Sequence, residues 1–143
     1  MTSSNKTKGF TLVELLIVIV VIAILAAISI VAYNGVTLKA RDDQRVSDAR
    51  NILSAISAYH ADKGEWLSAT NAKTELEKFS TVKVPNEALN RIVGAAPASA
   101  TDKDKYGLEA CMTGSPAAQT GIKITTWSEA NNKANDAIVA GTC

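Results

Sequence analysis

Histidine, cysteine and aromatic residues are scarce in this chain. One histidine, His60, and two cysteines, Cys111 and Cys143, are all that 143 residues supply of the softer metal ligands. Neither cysteine sits in a C-x-x-C pair, so no zinc site is supported. G-x-S-x-G, P-loop and H-E-x-x-H patterns are missing, and no cysteine–histidine pair stands out as catalytic. The expectation is a protein that is not an enzyme, with no catalytic residue, metal or cofactor. Charge of one sign is not in excess, with 15 Lys+Arg against 14 Asp+Glu, and no dense basic cluster occurs. Affinity for polyanions, nucleic acid included, is therefore not indicated. Repeats are absent as well, and the length suits one compact domain plus at most one further element.

What is abundant is concentrated in one place. Phe10 to Tyr33 is almost wholly apolar, with no polar residue from Leu15 to Ile28. At about 1.5 Å per helical residue the run spans about 36 Å, enough to cross a hydrocarbon core of about 30 Å. It is far too long for a buried strand, so a membrane-inserted helix is expected. Lys6 and Lys8 favour a cytoplasmic amino terminus, a bias that Lys39 and Arg41 on the other flank weaken. An ordinary secretory signal is the competing reading, with Ala27-Ile28-Ser29 as a weak cleavage site and Ile30 as the new first residue. Glu14 is awkward for any such run, because a carboxylate near a bilayer centre costs a few kcal/mol. Either it lies close enough to the end of the span to reach headgroups, or a partner cation neutralises it.

The residues around Glu14 narrow the choice. Lys8-Gly9-Phe10-Thr11-Leu12-Val13-Glu14-Leu15-Leu16-Ile17-Val18-Ile19 resembles the prepilin signature of type IV pilins and pseudopilins. The resemblance implies that a membrane peptidase cuts between Gly9 and Phe10 and methylates the new amino terminus at Phe10. It implies equally that Glu14 pairs with the terminal amine of a neighbouring subunit during assembly. Two groups that are costly alone in an apolar filament core are tolerable as a pair. The expected organisation is a leader over residues 1–9, a transmembrane and polymerisation helix over 10–34, and an amphipathic continuation with a small head over 35–143. Many members of this family carry a helix-weakening glycine in the run and a proline before the Ala-Tyr. Here Ala23 and Val31 stand at those positions, so a bend or frayed turn is better placed at Asn34-Gly35.

Beyond Gly35 the apolar spacing becomes helical. Val46, Ala49, Leu53, Ile56 and His60 recur at steps of three and four, with Ile52 and Tyr59 beside them. Asp62-Lys63-Gly64 reads as a last turn closed by glycine. The charged stretch from Lys39 to Arg50 is either a solvated helix face or a contact with adjacent subunits. Trp66 and His60 read as packing residues. Two short helices are expected, over Thr74 to Phe79 and from Asn86 as a cap through Val93. Strands are expected over Tyr106–Met112, Gly121–Trp127 and Ala137–Ala140. The fold class is thus α+β, a long amino-terminal helix packed in its second half against a small antiparallel sheet, as in type IV pilins.

If the head lies outside the cytoplasm, Cys111 and Cys143 can pair; otherwise they are two buried or free thiols. The pair resembles the carboxy-terminal disulfide loop of many pilins, which implies a Cys111–Cys143 bridge. The function that the resemblance implies is structural. The chain would be a subunit of a type IV pilus, an extracellular filament for adhesion, motility or DNA uptake, single-pass in the membrane before assembly. Its partners would be further copies, other pilins, the prepilin peptidase and the assembly machinery. The alternative is a pseudopilin of a type II secretion or DNA-uptake machine.

Overall fold

The structure, a computed structural model, describes residues 8–79 and 81–143, so most of the expected leader lies outside the described residues. The chain divides into two units, Met1–Thr37 and Leu38–Cys143. Helix α1, Leu12–Lys63, begins in the first and ends in the second. In the first unit it is rich in Val and Ile, which are modest helix formers. In lipid the backbone must satisfy its own hydrogen bonds, and that requirement overrides propensity. The helical assignment passes Asn34 and Gly35 without a break, against the expectation of a frayed turn there. The hydroxyls of Ser29 and Thr37 bond back to the carbonyls of Leu25 and Tyr33, at 2.8 and 2.9 Å.

In the second unit α1 buries Ala49, Ile52, Leu53 and Ile56 of the expected stripe, with Ala55 beside them, while Val46, Tyr59 and His60 are half-buried. It stops at Gly64, which adopts φ +76° and donates its N–H to the His60 carbonyl at 2.7 Å. A left-handed residue at this position favours glycine. Helix α2, Ala69–Lys78, starts five residues earlier than expected. The missed signal is Ser68, whose N–H and hydroxyl both donate to Asn71 Oδ1 at 2.8 Å. Asparagine replaces the usual Glu or Gln of a capping box. Leu76 is buried, and Phe79, just past the helix, meets Tyr59 edge-on with ring centres 5.5 Å apart.

Helix α3 is only Asn86–Leu89, capped by Pro85 rather than by Asn86. The expected continuation through Val93 fails because Ile92–Val93 is strand β1. Its β-branched residues pair in parallel with Tyr106 and Gly107. Strands β2, Tyr106–Thr113, and β3, Ala118–Thr125, form the main antiparallel pair. After β3 come the two-residue strands β4, Trp127–Ser128, and β5, Lys133–Ala134, which pair with each other. Strand β6, Ile138–Gly141, then returns antiparallel to β3. The main sheet therefore runs β1-β2-β3-β6, antiparallel apart from its short first pair. Leu108, Ile122 and Ile124 of the sheet join Ile52 and Ile56 of α1 in one core, with Leu67, Leu76 and Leu89 closing it.

Cys111 and Cys143 are disulfide-bonded, with Cα atoms 4.9 Å apart. The bridge does not join neighbouring strands, because β3 lies between β2 and β6. Across that row Cys111 faces Gly121, and Gly121 faces Gly141. A Cβ on Gly121 would lie 2.6 Å from the Ala140 carbonyl oxygen and 2.8 Å from Thr142 N. The chain after β6 thus crosses β3 where there is no side chain, and reaches Cys111. Thr142 N–H donates to the Thr120 carbonyl at 3.1 Å, and the Thr120 hydroxyl to the Thr142 carbonyl at 2.8 Å. Closing a loop of this length is worth about 3–4 kcal/mol in the chain-entropy model. Cys143→Ser should lower the stability of the second unit by about that much. Denaturant unfolding of the detergent-solubilised chain checks it, and an unchanged midpoint would show that the glycine crossing alone holds β6.

Candidate processing and assembly site

The start of α1 brings together Gly9, Phe10 and Glu14. Lys8 to Thr11 is not helical, and the helix begins at Leu12. A reciprocal pair of bonds sets that start. Thr11 N–H donates to Glu14 Oε2 at 2.8 Å, and Glu14 N–H donates to Thr11 Oγ1 at 3.2 Å. Thr11 is the N-cap and Glu14 the third helical residue, a capping box that satisfies two otherwise orphaned donors. The Thr-x-x-Glu spacing ahead of an apolar run was legible in the sequence. It supplies a local role for Glu14 beside the two weighed above. The Gly9–Phe10 peptide lies just outside this cap in exposed chain, with nothing within 4 Å of where a Gly9 Cβ would stand.

From Phe10 to Tyr33 every residue is exposed. Phe10 is 83% exposed, and Leu15, Ile22 and Ile28 are each more than half exposed. Mean hydropathy of the best 18-residue window is 3.4, and none of that window is buried. Glu14 is the one charged residue between Lys8 and Lys39. Such a surface is unstable in water at about 25 cal/mol per Å² of apolar area, so lipid or other chains must cover it.

The charged stretch of α1 in the second unit is divided: Lys39, Arg41, Asp43 and Arg50 are exposed, while two of its charges are turned into the fold. Asp42 and Arg45 are buried, 8% and 5% exposed. The Asp42 carboxylate accepts from Ser128 Oγ at 2.7 Å, Glu129 N at 2.8 Å, Ala130 N at 3.0 Å and Arg45 Nη1 at 2.9 Å. Arg45 also donates to Glu129, and to Asp104 at 3.1 Å. Arg41 and Lys103 approach Glu129 from the rim. Asp42 and Arg45, three residues apart on the helix, thus pair inside the fold. Arg45–Asp48 is not among the ion pairs of the described residues. Asp48 takes the Tyr106 hydroxyl at 2.9 Å and Gln44 at 3.0 Å. Burial, the bond to Asp48 and its charge push the Tyr106 phenol up to about 12, so it remains a donor.

His60 stacks on Trp66, with ring centres 3.9 Å apart and planes 11° from parallel, as packing residues do. Among the described residues, no group of three or more His, Cys, Asp or Glu is placed to hold a metal ion.

Comparison with known proteins points to the same segment. A family profile described as "Prokaryotic N-terminal methylation motif" matches residues 4–30. A fimbrial protein of Neisseria meningitidis serogroup B is 35% identical over 86 residues, 55% of this chain and 51% of that one. The type IV major pilin protein PilE of Neisseria gonorrhoeae is 41% identical over 76 residues, 53% and 45% of the two chains. Fimbrial protein EcpC of Eikenella corrodens is 37% identical over 87 residues, 61% and 56%. The matched stretches span about half the length of these relatives. No solved structure matches the chain. In its methylation motif and in these partial matches, the chain is similar to fimbrial proteins and type IV major pilins.

Proposed function

We propose that this chain is the precursor of a pilus subunit, polymerised through its apolar helix into an extracellular filament. The carrying observation is the apolar surface from Phe10 to Tyr33, exposed throughout and interrupted by one carboxylate directly after an accessible Gly9–Phe10 peptide. A prepilin peptidase removes residues 1–9 and methylates the Phe10 amine. The helix over 10–34 then holds the chain in the membrane, amino terminus towards the cytoplasm, until the assembly machinery extracts it. In the filament Glu14 pairs with the amine of a neighbouring Phe10, and the apolar helices cover one another. The curated relatives, named as fimbrial proteins and type IV major pilins, support this reading. The chemistry is done on the chain by a peptidase, so the reading requires no catalytic residue here.

Intact-mass measurement and amino-terminal sequencing of the exported protein test it, with electron microscopy of surface filaments. The mature chain should begin at Phe10, one methyl group heavier than the unmodified residue. A chain beginning at Ile30 would establish an ordinary secretory signal instead. Gly9→Val should leave full-length precursor in the membrane and no filament, because a branched side chain then stands at the scissile bond. Long surface fibres distinguish a pilus from the short filament of a secretion or DNA-uptake machine.

A further inference from the structure

The connection between β3 and β6 is a separate loop. Thr125 ends one strand and Ile138 begins the other, and the two strands are already paired, Ile124 opposite Ile138. Between them the chain makes an excursion carrying the β4–β5 hairpin. Its base is clasped by Asn135, whose N–H donates to the Thr126 carbonyl and whose side-chain amide donates to Thr126 Oγ1, both at 2.8 Å, next to the Trp127–Ala134 pairing. A hairpin of two-residue strands is not stable by itself. Most of what holds its tip to α1 converges on one carboxylate, the rest running from Arg45 and Arg41 to Glu129. Asp42 receives the Ser128 hydroxyl and the Glu129 and Ala130 N–H groups, while Ser128 Oγ accepts from Asn131 N at 3.1 Å.

We propose that Asp42 is an acid-sensitive latch: its protonation frees the loop over residues 126–137 from α1, while the disulfide-tied sheet stays closed. The geometry separates the two. The loop's attachments run to Asp42 and Arg45, whereas β3 and β6 are tied by their own ladder and by the crossing to Cys111. A neutral carboxyl is a poorer acceptor for three donors and loses its charge pairing with Arg45. Water reaches the latch through a cleft of about 320 Å³ lined by Lys39, Asp43, Val46, Asn131 and Asn135, so protonation need not await opening. The charged groups around it are Lys39, Arg41, Asp43 and Arg45 on α1, Glu129 on the loop, and Lys103 and Asp104 before β2.

Burial pushes the Asp42 carboxyl up, but the bonds from Ala130, Glu129 and Ser128 and the charge of Arg45 outweigh it and hold the group below its usual value. A depressed carboxyl stabilises fully above its unfolded pKa of about 4 and loses that contribution as pH falls through the lower folded value. The latch is therefore shut at neutral pH and opens in strong acid.

Hydrogen-exchange mass spectrometry of the full chain in detergent, corrected for intrinsic rates, tests this from pH 7 to 2. In the wild-type chain, peptides covering 126–137 should lose at least tenfold protection below pH 4 while those of β2 and β3 keep theirs. Asp42→Asn should show that loss already at pH 7, with no further acid step. Should that variant fail to fold, Ser128→Ala removes a single donor and should move the wild-type acid step to higher pH. Strands and loop losing protection together, an acid step retained in Asp42→Asn, or a step unmoved in Ser128→Ala would each overturn the latch.

Discussion

Glu14→Val is expected to leave the chain membrane-bound and cleaved before Phe10, yet nearly absent from sheared surface fibres. Valine removes the group that is costly in lipid, so insertion should be equal or better. On the proposed pairing, the change would leave the amine of an adjacent Phe10 unpaired in apolar surroundings, and breaking such a pair typically costs about 3–5 kcal/mol. Every contact along the fibre would carry that cost. At about 1.4 kcal/mol per factor of ten, each association constant falls at least a hundredfold. The capping bond between Thr11 and Glu14 supplies a rival explanation, and Glu14→Gln separates the two. Glutamine serves in a capping box as glutamate does but carries no charge. Poor fibre yield from both variants supports the ion pair, measured in cells lacking the wild-type copy so that mixed filaments cannot mask the defect. Wild-type yield from Glu14→Gln would make Glu14 a helix cap and remove the ion pair from the proposal. Wild-type yield from Glu14→Val would dispose of the assembly role altogether.

Arg45→Met should strongly destabilise the second unit. Methionine fills much of the volume, so the expected loss is electrostatic. Arg45 lies between Asp42, Glu129 and Asp104, its side chain 6% exposed and the side chains of Asp42 and Glu129 each 11% exposed. The hydrogen bond from Arg45 holds the Glu129 carboxyl below its usual range, together with the charges of Arg45, Lys103 and Arg41. Removing the cation leaves two mostly buried carboxylates about one empty centre, for which about 3–5 kcal/mol is the usual cost. Asp104 contributes little to that figure, being largely exposed. Denaturant unfolding followed by tryptophan fluorescence measures the loss. Because both carboxyls are ionised at neutral pH and protonated in acid, the deficit should shrink as pH falls below about 4. A deficit constant with pH would mean that Arg45 acts by packing its alkyl chain.

Features that depend on near neighbours in the chain were legible from residues alone. The apolar run, the motif around Gly9 and Glu14, the buried stripe of α1 and its stop at Gly64 each need only a few consecutive turns of helix. Strands β2 and β3 announced themselves by alternation and by the turn residues between them. Helix α2 was read short because Asn71 performs a capping function usually held by Glu or Gln, and α3 was read long because β1 exists only by pairing with Tyr106 and Gly107.

The sequence by itself determined which end of the chain is apolar, where the one carboxylate of that apolar run stands, and that the rest forms a small α+β unit. The reason is physical: solvent preference and helix periodicity are properties of single residues and their immediate spacing. Tertiary structure alone decided which of the charges between Lys39 and Arg50 are buried, a stretch that reads either as a solvated face or as a contact with adjacent subunits. Asp42 is buried because Ser128, Glu129 and Ala130, all more than 80 positions away, bring donors to it. Tertiary structure decided likewise that two unremarkable glycines, Gly121 and Gly141, open the path by which Cys143 crosses a strand to reach Cys111. Both outcomes turn on groups remote in sequence meeting within about 3 Å, the range at which hydrogen bonds and steric exclusion act and spacing carries no signal.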